Sequence, residues 1–374
     1  MSPGKARLWT GMSCVGTLVV VTAAMLFFDA PGTMLATAAG GGVSEYMTIL
    51  AFFGAAAALL LPFDFIGGML IPAAFEKQPP RMGQWFRCWF RSVTLQLLFF
   101  STTFFFYLQI GREIGAPWLI ALFAVLQVTL LAGQELIWQL MTAQRIGAAD
   151  GGTAAVGGSA HYVRHSDQRF VGGITGLPGF ESILIPDDWR SRLDPSHLKV
   201  VINRRLAALR SGGRFRGILL AMVWNITSFT AAIVASGSEL RSVADLVTIF
   251  LWFLLFSFVG LLILPTFNRR SVFGLDRQVS GIVNVHELQQ AISEIDQLTE
   301  QDPTRTVSAE SVFQPIPCPA RRLQALAEQS SPNVPAWNVA RTALFLSWAF
   351  GGPLARAVHC NVGRPELWAM LPTD

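Results

Sequence analysis

Leu193-Asp194-Pro195-Ser196-His197-Leu198-Lys199-Val200-Val201-Ile202-Asn203-Arg204-Arg205-Leu206-Ala207-Ala208-Leu209-Arg210-Ser211-Gly212 reads as one helix from start to stop. Asp194 is placed to cap it, and Pro195 holds the first helical position, where a missing N–H costs nothing. Leu198, Val201, Ile202, Leu206 and Leu209 recur at three- and four-residue steps and give one buried stripe. Gly212-Gly213 stops it. Arg204, Arg205 and Arg210 lie within the helix, Arg214 and Arg216 follow, and a long apolar run begins at Gly217. The basic run next to that apolar stretch suits anchoring at lipid headgroups, or turns Arg204 or Arg205 inward to a salt bridge or an anionic group.

The surroundings are a bilayer. Of 374 residues, 52% are hydrophobic and 14% charged, against about 25% charged in soluble domains. Six stretches between charged residues, 8–28, 46–63, 92–111, 114–134, 217–238 and 246–268, reach the roughly 17 to 25 residues that a span requires. The first follows Lys5 and Arg7, but its length and the lack of a small-x-small site before Asp29 mark a retained anchor rather than a cleaved signal.

Lys5, Arg7, Lys77, Arg81, Arg87 and Arg91 fall on one side of these spans, Arg112 and Arg241 on the other. That bias puts both termini in the cytoplasm, most simply at a bacterial cytoplasmic (inner) membrane. The polar segments 141–216 and 269–374 then share that side and are free to pack as one domain. Cys14, Cys88, Cys318 and Cys360 are scattered, so free thiols are expected. The net charge of +4 reflects topology and contact with anionic headgroups. No basic patch interleaved with aromatics points to nucleic acid.

The expected architecture is mainly α and multi-pass, with about six transmembrane helices and a cytoplasmic α+β domain built from two separate segments. Residues 1–145 form a four-helix membrane region, 146–216 a linker and the first half of the polar domain, 217–268 two spans, and 269–374 the second half with a C-terminal extension. Asp64 ends the second span near the interface, and Glu135 emerges from the fourth with Gln134, Gln139 and Gln144. The glycine-rich stretch 146–160 reads as a flexible linker. His161–Val163, Phe170–Ile174 and Ser182–Ile185 suit small strands, with Gly176-Leu177-Pro178-Gly179 as a turn. A helix is expected over 279–298 on the set Ile282, Val285, Leu288, Ile292 and Ile295, and another from Arg321 to Ala327. The apolar core Ala343–Phe350, within a helix over 337–358, is too short to span. It should pack on the domain or lie on the membrane surface.

This ordered series resembles the integral-membrane zinc metallopeptidases of the CAAX prenyl protease and HtpX type, over roughly 160–330. Ile185-Pro186 and Leu193-Asp194-Pro195 stand where that family has a strand end and the start of its zinc helix. The family's helix continues histidine, glutamate, two residues, histidine; Arg204, Arg205 and Ala208 hold those places here. An arginine cannot be deprotonated to ligate a cation, and alanine offers no donor. In Arg269-Arg270-Ser271-Val272-Phe273-Gly274-Leu275-Asp276-Arg277, Val272 replaces the family's ligand glutamate while the orienting aspartate is kept as Asp276. The resemblance implies that Asp276 pairs with Arg204 or Arg205, a guanidinium taking the cation's place. Gln314, before Pro315-Ile316-Pro317 and Arg321-Arg322-Leu323, stands where the family has a histidine.

His161 and His165 have helical ligand spacing in a strand-like stretch, where residues four apart lie about 13 Å apart. His286-Glu287 lacks a second histidine. His359-Cys360-Asn361 has the ingredients of a thiol protease, although adjacent side chains point apart and a turn after an apolar helix accounts for them. Three readings follow. The first is a pseudopeptidase with no metal and no cofactor, acting as a scaffold or accessory subunit beside a membrane-protein partner in the lipid bilayer. The second is a hydrolase of unconventional chemistry, through His359 and Cys360 or a metal outside the helix. The third is a noncatalytic binder of peptide or lipid in a retained cavity.

Overall fold

The computed structural model describes residues 2–35, 42–76, 79–149, 159–165, 167, 169–299, 310, 314–328 and 333–369. Residues 150–158 of the expected linker, Lys77 and part of the loop 29–45 lie outside them. Among the described residues, five runs are long and apolar enough to cross a membrane: Pro3–Phe27, Gly42–Phe75, Met82–Glu113, Gly213–Ser236 and Val243–Ser280. Ala116–Ala132 and Gln134–Thr142 make a sixth if the pair, bent by 65° at Gly133, is one span. The chain is an integral membrane protein with the multi-pass, mainly α architecture expected.

The helices are α1 (Pro3–Phe27), α2 (Ala30–Leu35), α3 (Gly42–Phe65), α4 (Ile71–Phe75), α5 (Met82–Glu113), α6 (Ala116–Ala132) and α7 (Gln134–Thr142). A π-helical turn, Ile66–Leu70, joins α3 to α4. A sheet of β1 (Ile146–Ala149), β2 (Ser159–Val163), β3 (Gly173–Thr175) and β4 (Ser182–Pro186) follows in the order β1-β2-β4-β3. The β2–β4 pair is parallel and the outer pairs are antiparallel. Next come α8 (Trp189–Arg192), α9 (Pro195–Arg210), α10 (Gly213–Ser236), α11 (Val243–Ile263), α12 (Pro265–Ser280), α13 (Val285–Leu298), α14 (Pro319–Ala327), α15 (Val339–Leu346) and α16 (Leu354–Ala357).

Helix α9 begins as its residues dictate, with Asp194 Oδ1 accepting from the Ser196 N–H at 2.8 Å and Pro195 at the first helical position. Three neighbouring elements depart from the sequence reading. Ile146–Ala149 is not linker but pairs with β2. The strand expected over 170–174 narrows to Gly173–Thr175, because Gly172 turns the chain at φ +68° and the Val171 carbonyl is taken by Arg205. The helix expected over 279–298 breaks at 281–284, where Asn284 caps α13 by accepting from the His286 N–H. Ile282 is 64% exposed as a result, while Leu288, Ile292 and Ile295 are buried.

The largest departure is at the C-terminus. Residues 339–369 neither lie on a surface nor form one helix; they pass through the interior of the membrane bundle. Phe350 sits 4.6 Å from the rings of both Phe104 and Phe229 and 5.0 Å from Tyr107. Irregular backbone at such depth survives only where protein satisfies its polar groups. Here Tyr107 donates to Ala349 O, Asn225 to Ala343 O, Gln134 to Ala369 O and Trp138 to Glu366 O. Glycines allow the approach: a Cβ on Gly217 would lie 1.9 Å from Trp337 O, and one on Gly11 2.3 Å from His359 Cα. Asp64, expected near the interface, is 1% exposed within this packing.

Candidate functional site

Helices α9, α12 and α14 meet below the sheet around one carboxylate. Arg204 Nε donates to Asp276 Oδ1 at 3.0 Å. Arg322, from α14, donates through Nε to Oδ2 at 2.7 Å and through Nη2 to Oδ1 at 2.8 Å. The three groups are 2%, 1% and 4% exposed. Two guanidiniums therefore share one buried carboxylate and occupy both its oxygens.

Arg205 does not join them. Its Nη1 donates to Leu184 O at 2.6 Å and its Nη2 to Val171 O at 2.5 Å, so it clamps β4 and the turn before β3 onto α9. Its guanidinium carbon lies 5.9 Å from the Trp189 ring. Ala208 is fully buried and Val272 nearly so. Neither supplies a donor.

This donor set does not fit a zinc ion. A structural or hydrolytic zinc requires lone pairs from imidazole, thiolate or carboxylate, whereas guanidinium has only N–H donors. Asp276 is the anionic group these arginines share, and both its oxygens already accept. Among the described residues, no cluster of three or more His, Cys, Asp or Glu could hold a metal ion.

The histidines are dispersed. His161 bonds to Gly147 O, and His197 Nδ1 to Glu294 at 2.5 Å. His165 Nδ1 bonds to Asp167 O at 2.7 Å and its Nε2 to Asp188 Oδ1 at 2.8 Å. Burial alone would lower the His165 pKa, but the hydrogen bond and charge of Asp188 outweigh it and the pKa is raised. Glu135 is half-buried and accepts from the Thr175 hydroxyl.

His359 Nε2 lies 3.1 Å from Gln314 Oε1, so the residue standing in the family's histidine position meets the leftover histidine. Cys360 is 5% exposed and its carbonyl accepts from Arg364. Both residues line a largely apolar cavity of about 230 Å³ between α1 and α11, with Val15, Leu261 and Arg341.

Sequence reasoning passed over Arg322 and the anchor of its helix. Pro319 starts α14, and Glu310 accepts from the Cys318 N–H at 3.0 Å and from Arg321 at 2.6 Å. The signal was present in Arg321-Arg322, but which arginine turns inward depends on where that helix begins.

Apolar spans, a small mixed sheet, and a polar domain drawn from both sides of α10 and α11 define a multi-pass membrane fold with an attached α+β domain. Among solved structures the chain is similar to the crystal structure of S. mikatae Ste24p, with a TM-score of 0.64, 13% sequence identity and 80% of each chain covered. That likeness is one of fold. No protein-family model matches the sequence, and comparison with curated proteins finds no relative.

Proposed function

We propose that this protein is a membrane peptidase-like scaffold without zinc or proteolytic chemistry, serving as an accessory or binding subunit of a membrane assembly. The observation that carries this reading is the Arg204–Asp276–Arg322 cluster, in which Arg204, at the place of a zinc histidine in the resembled family, is bound to a buried carboxylate. The packed interior supports it, since Phe350 lies against the rings of Phe104 and Phe229 inside the bundle. The charge bias of the loops supports a cytoplasmic polar domain and termini.

Metal analysis of protein purified from its own membrane tests the core of the proposal. The expected result is zinc far below one equivalent; one equivalent of tightly held zinc overturns it. Co-purification from native membrane then tests the subunit role, with a stoichiometric membrane-protein partner expected. The unconventional-hydrolase reading has one observation in its favour, the cavity beside His359 and Cys360. Hydrolysis that disappears in Cys360→Ser would replace the scaffold reading.

A further inference from the structure

Arg7 enters the bundle near the start of α1 and is 5% exposed. Its Nη2 donates to Glu76 Oε1 at 3.1 Å, while its Nε and Nη1, equally buried, have no hydrogen-bond partner among the described residues. Buried donors without acceptors carry their full desolvation cost, and guanidinium carries a charge as well. Something with acceptor oxygens belongs against them.

The space for it is present. A cavity of about 100 Å³ lies against Arg7, lined also by Glu76, Trp85, Cys88, Asp167 and Arg364. That is room for about three waters at ~30 Å³ each, or for one tetrahedral oxyanion. The carboxylates around it are committed. Glu76 Oε1 also pairs with Arg169 at 3.4 Å, so one carboxylate oxygen serves two guanidiniums. Asp167 takes two hydrogen bonds from Arg364, at 2.5 and 2.9 Å. Glu366, at the cavity wall, accepts from Gln144 and from the Asp167 N–H. Arg7, Arg169 and Arg364 balance the three carboxylates, and the unfilled donors are those of Arg7.

The outer edge of the cavity is formed by half-buried Pro80 and exposed Gln84. Exposed Arg81 and Arg87 lie on the same stretch, where α5 begins beside the membrane interface. The buried Arg7 supplies charge-assisted hydrogen bonds to an anion once it has entered.

We propose that this cavity binds a phosphate group, with Arg7 as its buried cation. The group comes from an anionic lipid headgroup or from free phosphate; both present the same oxygens to Arg7. The site shares no residue with the Arg204–Asp276–Arg322 cluster, and it stands whether or not the scaffold reading does.

The test uses the full-length protein, stripped of lipid in detergent. Inorganic phosphate is titrated against sodium chloride of equal ionic strength while the thermal midpoint is followed, and native mass spectrometry compares retention of phosphatidylglycerol with phosphatidylcholine. Stabilisation by phosphate, or selective retention of phosphatidylglycerol, is expected. Arg7→Gln should weaken binding about tenfold or more. Gln84→Trp, a substitution at an exposed position, should block entry while leaving Arg7 and its packing intact, so the test survives a misfolded Arg7 variant. Displacement of retained phosphatidylglycerol by phosphate identifies the lipid as the source; stabilisation by phosphate without lipid selectivity identifies the free anion. If wild type responds to neither probe, the cavity holds water only and the proposal falls. It falls equally if the folded variants bind as wild type does.

Discussion

Asp64 on α3 and Arg356 on α16 form a buried ion pair across 292 residues of sequence, with Arg356 Nε 2.7 Å from Asp64 Oδ2 and Nη2 donating to the same oxygen. Asp64 also accepts from Trp89 Nε1 and from the Gly363 N–H, each at 2.9 Å. Arg356 lies 4.6 Å from the Trp368 ring. One carboxylate thus fastens both ends of the bend that follows the internal C-terminal segment. Removing one partner of a buried pair leaves an uncompensated charge and costs about 3–5 kcal/mol. Arg356→Met and Asp64→Leu should each lower stability by that order in denaturant titration. The double variant should lose less than the two single losses combined, since no charge is then stranded. Additive losses would mean that the pair is not coupled.

At Asp276 the same reasoning applies with the charges reversed. Asp276→Asn removes the carboxylate charge that Arg204 and Arg322 share, both less than 5% exposed. A loss of about 3–5 kcal/mol is expected, partly recovered by adding Arg204→Met. A protein as stable as wild type after Asp276→Asn would show that these guanidiniums have other sufficient partners.

Glycine positions separate close backbone contact from ordinary helix propensity. Gly217→Ala places a methyl 1.9 Å from Trp337 O, a carbonyl whose residue is itself held by its N–H to Gly213 O. Backbone on both sides must move, so a loss of at least about 1–3 kcal/mol is expected. Gly54 has nothing within 4 Å of its added Cβ. Gly54→Ala should be neutral or raise stability by about 0.5–1 kcal/mol through helix propensity. Thermal midpoints of the two variants in one detergent make the comparison.

What the residues disclosed in advance follows from how local each signal is. The spans and α9 are written in short windows, charge-free runs in one case and a cap with an apolar stripe in the other. The path of 339–369 is not local. Ala343–Phe350 is apolar but too short to span, and the burial of 339–369 depends on polar groups supplied by other helices: Tyr107, Asn225, Gln134 and Trp138. Those buried polar side chains, with Gly11 and Gly217, were the visible trace of a partner inside the bundle. At the site, the replaced residues Arg204, Arg205, Ala208 and Val272 were legible one by one. The division of labour between Arg204, on a carboxylate, and Arg205, on two carbonyls, required the sheet.

His165 links the polar domain's stability to pH. Its pKa is raised, because the hydrogen bond and charge of Asp188, aided by Glu366, outweigh the opposing effect of burial. Asp188 is correspondingly lowered, burial again opposing and His165 and Arg192 prevailing. A raised histidine contributes stability that is fully present below its unfolded pKa of about 6.5 and is lost as pH rises through its folded value. The lowered aspartate contributes above about 3.9 and loses its contribution as pH falls. The contact is therefore strongest between roughly pH 4 and 6.5. With Asp188 half-exposed, its loss on going to pH 8 should stay under about 1 kcal/mol. Wild type should lose that increment between pH 6 and 8, whereas His165→Gln should show a flatter profile. Parallel profiles would mean that His165 titrates alike in the folded and unfolded chain, and the pair would then carry none of the pH dependence.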